Sequence, residues 1–233
     1  MFPPIVSFKR VALNLLFPPY CIGCGREGYY FCDRCSHELA FIPPPVCRLC
    51  GRPLLPDSSC PGCIAEQSPI DGIRAPFLFD GLVRHAVHEL KYHNLRAIVP
   101  ALAAFLHEYL QENPLPGDVL VPVPIHRKRL RERGYNQSFL LAHELHRLSG
   151  LPLVDNCLVR TGYIAPQAKT ASVTERLNNI SGAFTCTNTS LQGKNVILVD
   201  DVSTSGATMN AGAAALKSAG AAAVWGLALA LEL

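Results

Sequence analysis

The chain has 233 residues, 49% of them hydrophobic and 17% charged, with a formal net charge of +3. This composition belongs to one large or two small globular domains with a sizeable core, and it excludes a disordered chain. The whole is only mildly basic, so strong phosphate recognition has to come from local clusters.

The N-terminal stretch MFPPIVSFKRVALNLLFPPYC has an apolar run too short and interrupted for a signal peptide, with no small-residue cleavage site. It predicts a short amphipathic helix stopped by Pro18 and Pro19. No segment approaches the roughly eighteen consecutive apolar residues of a membrane span. A cytoplasmic location is expected, where the Asn-x-Ser sequons at Asn136, Asn179 and Asn188 carry no meaning.

Eight of the ten cysteines lie between Cys21 and Cys63, all in CxxC pairs: CIGC, CDRC, CRLC and CPGC. In a reducing compartment this density favours metal over disulfides. A CxxC turn puts two thiolates on one side of a tight knuckle, and two knuckles complete a tetrahedron around zinc. The region repeats, CIGCGR being echoed by CRLCGR, and Gly25 and Gly51 let each knuckle turn back with its amides facing sulfur. The simplest pairing gives Cys21, Cys24, Cys32 and Cys35 as one site and Cys47, Cys50, Cys60 and Cys63 as the other; an interleaved pairing uses the same residues. Four thiolates per site leave no opening for water, which favours structural zinc, with iron–sulfur ligation the competitor. Cys157 and Cys186 are expected to be small buried hydrophobes. GCGREG (Gly23–Gly28) matches GxGxxG, but no strand precedes it and Cys24 lies inside it, so the match is accidental.

Beyond Cys63 the texture changes. QSPIDG is expected to be a linker, dividing residues 1–67 from residues 68–233. RAPFLFDG is strand-like, Leu82 to Tyr92 helical, and Pro100 opens a helix running to Glu112. DVLVPVP predicts a strand, and Tyr135 to Leu148 a helix with Leu141, Leu145 and Leu148 on one face. VILVD is a buried strand, Gly206 to Ala219 a helix ended by Gly220, and AAVWGLALAL a final strand. Strands alternating with helices imply an α/β fold with a largely parallel sheet covered on both faces. His85, His88, His93, His143 and His146 have no metal spacing beyond helical coincidence and are expected at the surface.

Ligands on such sheets bind beyond the carboxyl ends of the strands. There VILVDDVSTSGATM (Val196–Met209) stops an apolar run at two acids, expected at the exposed strand end. It then offers backbone N–H groups, hydroxyls, a close-approach glycine and a helix N-terminus. Carboxylates repel a bare phosphate, whereas a ribose 5-phosphate supplies phosphate for the loop and hydroxyls for the acids. No GxxxxGK[ST] motif of a nucleotide triphosphatase occurs. HRKRLRER (His126–Arg133) carries five Lys/Arg against one Glu, which suits phosphates or nucleic acid as well as a solvated face.

VILVDDVSTSGATM resembles the phosphoribosyl pyrophosphate signature of type I phosphoribosyltransferases. With VPVPIHRKRLRERGYNQS (Val121–Ser138), HELKYHN (His88–Asn94), QAKTASVTERLNNISGAF (Gln167–Phe184) and the double zinc ribbon, the chain resembles the ComF family of bacterial competence proteins, to which the GntX proteins are related. The resemblance implies a type I phosphoribosyltransferase-like domain over residues 68–233, preceded by an N-terminal helix and double zinc ribbon over residues 1–67. It implies that Asp200 and Asp201 hold the ribose hydroxyls and a magnesium ion carried with the substrate. Ser203, Thr204, Ser205, Gly206, Ala207 and Thr208 would hold the 5-phosphate. Arg127, Lys128, Arg129 and Arg133 become anion or DNA contacts. Gln167, Arg176 and Asn179 fall where the superfamily has a mobile flap, with Arg176 a further anion contact, and Ile73 to Asp118 would form the hood over an acceptor base.

Two functions of different class follow. One is a protein of DNA uptake that handles single-stranded DNA, retains the phosphoribosyl pyrophosphate pocket and works with a partner of the competence machinery. The other is an active transferase of nucleotide salvage, for which no acceptor-reading motif is visible.

Overall fold

Val196, Ile197, Leu198 and Val199 are each at most 1% exposed, and they alternate between two cores as a strand's period of two requires. In this computed structural model, which describes residues 18–55, 60, 63, 68–161, 183–186 and 189–233, they begin the central strand of a parallel sheet. The expected N-terminal helix and Gln167, Arg176 and Asn179 lie outside the described residues.

In chain order the strands are β1 (Gly72–Arg74), β2 (Phe77–Leu78), β3 (Val119–Pro122), β4 (Leu158–Arg160), β5 (Phe184–Cys186), β6 (Asn195–Ser203) and β7 (Ala223–Leu231). The helices are α1 (Asp33–His37), α2 (Gly81–Tyr92), α3 (Val99–Glu112), α4 (Arg127–Arg133), α5 (Gln137–Ser149) and α6 (Ala207–Ser218). The main sheet runs β1-β7-β6-β3, all parallel, with β2 also pairing β7 further along. Ala75–Pro76 breaks the expected RAPFLFDG strand into β1 and β2, since proline offers no N–H to a ladder. α6 packs with Val196 and Leu198 on one face; α2, α3 and α5 pack with Ile197 and Val199 on the other. Helices therefore cover both faces, as the alternating pattern predicts.

The helices begin and end where local chemistry dictates. Asn136 accepts the Ser138 N–H at 3.1 Å to start α5, and Gly150 ends it in the left-handed region at φ 76°. Leu141 and Leu145 are fully buried, whereas Leu148 is 45% exposed and leaves the expected face. Of the histidines, His146 is half-buried, its Nδ1 bonded to the Leu151 carbonyl at 2.7 Å beside the helix end. Cys157 is buried in the core, its thiol pushed up to about 12 by burial and then by nearby Cys186.

The N-terminal knuckles are docked on the sheet. Phe31 stacks edge-on to Phe105, which stacks on Phe77, and Phe77 meets Phe41. Ile73 N–H donates to the Leu49 carbonyl at 2.7 Å and Leu78 N–H to that of Ala40 at 2.7 Å, so the ribbon segment covers the edge of β1 and β2. The stretch expected as a linker packs as well. Ile70 is 1% exposed, and the Asp71 carboxylate accepts the Val224 N–H at 2.7 Å and pairs with Lys217 at 2.9 Å.

Candidate functional site

The two cysteine groups form as the simplest pairing predicts, Cys21/Cys24/Cys32/Cys35 and Cys47/Cys50/Cys60/Cys63, each with its sulfurs within 4.8 Å of one another. Sulfur pairs Cys24–Cys32, Cys47–Cys63 and Cys50–Cys60 stand 3.6, 3.7 and 3.6 Å apart. A tetrahedron with Zn–S bonds of about 2.3 Å has edges of about 3.8 Å, so the donor set fits one ion and leaves no room for a multi-iron cluster. The repeat extends to the backbone. Cys21 N–H donates to Arg26 and Cys47 N–H to Arg52, both at 2.8 Å, with Gly25 and Gly51 both at φ +73°. Burial raises the Cys21 thiol, but backbone amides of Cys24, Cys32 and Gly23 outweigh it and bring it to about 6. Cys35 in the same site is pushed up to about 12 by burial and by the thiols around it. A divalent cation relieves that crowding of charge.

The acid pair sits differently from expectation. β6 continues past both acids to Ser203, so they lie within the strand: Asp200 is 8% exposed and Asp201 3%. β3 pairs β6 only as far as Val199, opposite Pro122, so Asp200 lies one residue beyond that ladder. The Ser138 hydroxyl, on the first turn of α5, donates to Asp200 Oδ1 at 2.7 Å, and the Asp201 N–H donates to the same oxygen at 2.9 Å. Burial and then Asp201 push the Asp200 carboxyl up to about 7, against the lowering effect of these bonds and of Lys91. Lys91, on the last turn of α2, brings its ammonium to 2.9 Å from Asp201 Oδ2. The approach is an ion pair without the alignment of a hydrogen bond, so that buried oxygen keeps no hydrogen-bond partner among the described residues. Lys91 and Ser138 were not singled out by sequence reasoning, although HELKYHN and RGYNQS contain them.

After the acids, Ser203 is buried as the last strand residue, its carbonyl accepting the Glu232 N–H at 2.9 Å. Thr204 and Ser205 are exposed, Gly206 turns at φ +75°, and α6 starts at Ala207 with Thr208 in its first turn. Among the described residues the N–H groups of Ser205 and Gly206 have no acceptor. The loop is thus a set of unsatisfied donors at the N-terminus of a twelve-residue helix, one strand end from two carboxylates.

The basic cluster folds into α4, capped by the His126 side chain and ended by Gly134 at φ 83°, with no buried residue. The helical period divides it. Arg129 and Arg133 line a cavity of about 530 Å³ together with Lys91, Tyr92, Asn94, Glu132 and Tyr135, while Arg127, Lys128 and Arg131 are exposed and outside it. Arg133 lies 5.9 Å over the Tyr92 ring, and the Tyr135 hydroxyl donates to the Leu90 carbonyl. Arg160, at the end of β4, is a cation the sequence did not reveal. Burial, then Arg129, lower its pKa while Asp200 raises it; its guanidinium lies 5.5 Å over the Phe184 ring, and its buried Nε has no hydrogen-bond partner among the described residues.

Family models for a double zinc ribbon domain and a phosphoribosyl transferase domain match residues 12–64 and 136–230. Among solved structures, the glutamine phosphoribosylpyrophosphate amidotransferase from B. subtilis matches at a TM-score of 0.40 and 22% identity, over 57% of this chain and 26% of that one. Sheet, sequence match and cysteine sites define a phosphoribosyltransferase-fold protein with two structural zinc sites. Competence protein ComFC of Bacillus subtilis (strain 168) is 32% identical over 199 residues, 82% of this chain and 80% of that protein. DNA utilization protein YhgH of Salmonella typhi is 32% identical over 186 residues, 77% of this chain and 81% of that protein. The chain belongs to the ComF family. Among the described residues, no helix is long and apolar enough to cross a membrane.

Proposed function

We propose that this protein binds phosphoribosyl pyrophosphate, or another ribose 5-phosphate compound, and serves the uptake and use of external DNA in the cytoplasm, where it handles single strands. The observation that carries the pocket is the succession of two buried acids just past the end of the β3 ladder and, after them, a loop of unsatisfied amides. The phosphate takes the N–H groups and hydroxyls of Thr204 to Thr208, and Asp200 and Asp201 accept from the ribose hydroxyls. Magnesium carried with the diphosphate would add charge that the acid pair can balance. The names borne by the relatives, competence protein and DNA utilization protein, support the DNA role. The exposed cations Arg127, Lys128 and Arg131 suit a nucleic-acid backbone and a contact with the uptake machinery.

The cavity favours a second reading, an active transferase. Lys91 joins its wall to Asp201, placing cations and two tyrosines beside the acid pair, where a leaving diphosphate or an acceptor would lie. The deciding experiment measures binding and turnover of phosphoribosyl pyrophosphate with a panel of bases, with and without single-stranded DNA. The first reading expects the compound and DNA both to bind with no base consumed. Release of diphosphate with one base favours the second, and no binding of the compound contradicts both.

A further inference from the structure

We propose that Arg52 of the second ribbon is a positioning residue of the phosphate loop, so that metal at Cys47, Cys50, Cys60 and Cys63 sets the loop's affinity for a ribose 5-phosphate. This rests on the reading of Thr204 to Thr208 as a phosphate site. Arg52 Nη2 donates to the Thr204 carbonyl at 3.2 Å, a bond across 152 positions of sequence. In a trans peptide the C=O and the following N–H point in opposite directions. Holding the Thr204 carbonyl toward the ribbon therefore turns the Ser205 N–H away from it, and that N–H is one of the two loop donors without an acceptor among the described residues.

Arg52 is in turn held by the metal knuckle, its own carbonyl accepting the Cys47 N–H at 2.8 Å. Gly51 beside it is pressed on β1 so closely that a Cβ there would stand 2.5 Å from the Ile73 carbonyl oxygen. Ile73 continues the stack, because its Cδ1 would lie 3.1 Å from a Cβ on Gly206. Knuckle, β1 and loop are packed in series, so none of them shifts alone. A second link runs parallel: the Ser68 hydroxyl donates to Asn210 Oδ1, and Asn210 Nδ2 donates to the Gly206 carbonyl at 3.3 Å. The first ribbon instead seats its cysteines on Leu82 of α2.

Calorimetric titration of ribose 5-phosphate into the full chain tests this, with zinc content and melting temperature measured on the same samples. Arg52→Met should weaken binding about tenfold, the loss expected for one hydrogen bond to a charged group. Its zinc content and melting temperature should match wild type, and Arg52→Lys, which keeps a donor, should recover part of the affinity. Cys60→Ser should lose one zinc equivalent and weaken binding to a similar degree. Wild-type affinity in Arg52→Met overturns the proposal, as does affinity that falls only in step with melting temperature. Wild-type protein that binds no ribose 5-phosphate overturns the phosphate reading itself, and this inference with it.

Discussion

A carboxylate with almost no water around it is costly, and Asp200 is buried beside a second acid. Burial first and Asp201 second raise it to about 7, whereas an aspartate in an unfolded chain titrates near about 4. Between those values the folded protein binds the proton more tightly than the unfolded chain, so stability falls as pH rises through this window. Asp200→Asn removes the charge but keeps an oxygen to accept from the Ser138 hydroxyl and the Asp201 N–H. At pH 8 the ligand-free variant should be more stable by about 1–2 kcal/mol, or roughly 2–8 °C in melting temperature, with the gap closing toward pH 5. Scanning calorimetry at both pH values checks this, and a lower or unchanged melting temperature at pH 8 contradicts it. If Asp200 accepts from the ribose as proposed, ligand affinity has the opposite sign: the ionised acid is the stronger acceptor, so the dissociation constant for phosphoribosyl pyrophosphate should fall between pH 6 and pH 8. The acids themselves are plain in the sequence. Their burial is not, because it depends on how far β6 extends and on a lysine from a distant helix.

At the scale of elements, hydrophobic period and capping residues are local, and they were enough to place α2, α3, α5, α6, β3 and β7 within a few residues. What escaped was set by partners far away in sequence. The cover over β1 and β2 follows from where the ribbon segment pairs, and the length of β6 from its register with β7 through Leu231. α4 shows the same limit: its charge is visible in the sequence, but its division between a cavity side and a solvent side needs the fold. Under the proposed function, that division would separate two uses of one cluster. Neutralising Arg127, Lys128 and Arg131 together should lower the slope of single-strand affinity against salt by about two units, at about 0.7 per phosphate contact. It should weaken all sequences alike and leave phosphoribosyl pyrophosphate affinity unchanged. Arg129→Gln should do the reverse, weakening the small ligand with little change in salt slope. An unchanged slope in the triple variant removes α4 from the DNA interface.

For the whole molecule, the zinc ribbons and the sheet share contacts rather than a linker. Purified protein should carry close to two equivalents of zinc, and Cys47→Ala should lose one. Because Leu39, Phe77 and the helices α2 and α3 share a core, strong chelation should lower the melting temperature of the sheet as well as unravel the ribbons. Metal analysis and near-ultraviolet circular dichroism before and after chelation report both, and a sheet that melts unchanged without zinc contradicts the shared packing. Repeated CxxC spacing made the ribbons legible in the sequence, but nothing local announced that the second would reach the loop after β6. All of this converges on one pocket, which the titration of phosphoribosyl pyrophosphate into wild type and into the Asp200→Asn, Asp201→Asn double variant tests most directly. Wild type should bind and the double variant should bind at least about tenfold more weakly, since each lost charged hydrogen bond is worth roughly 1.5–3 kcal/mol. Equal affinity in the two proteins would contradict the assignment of the acids and the loop that follows them.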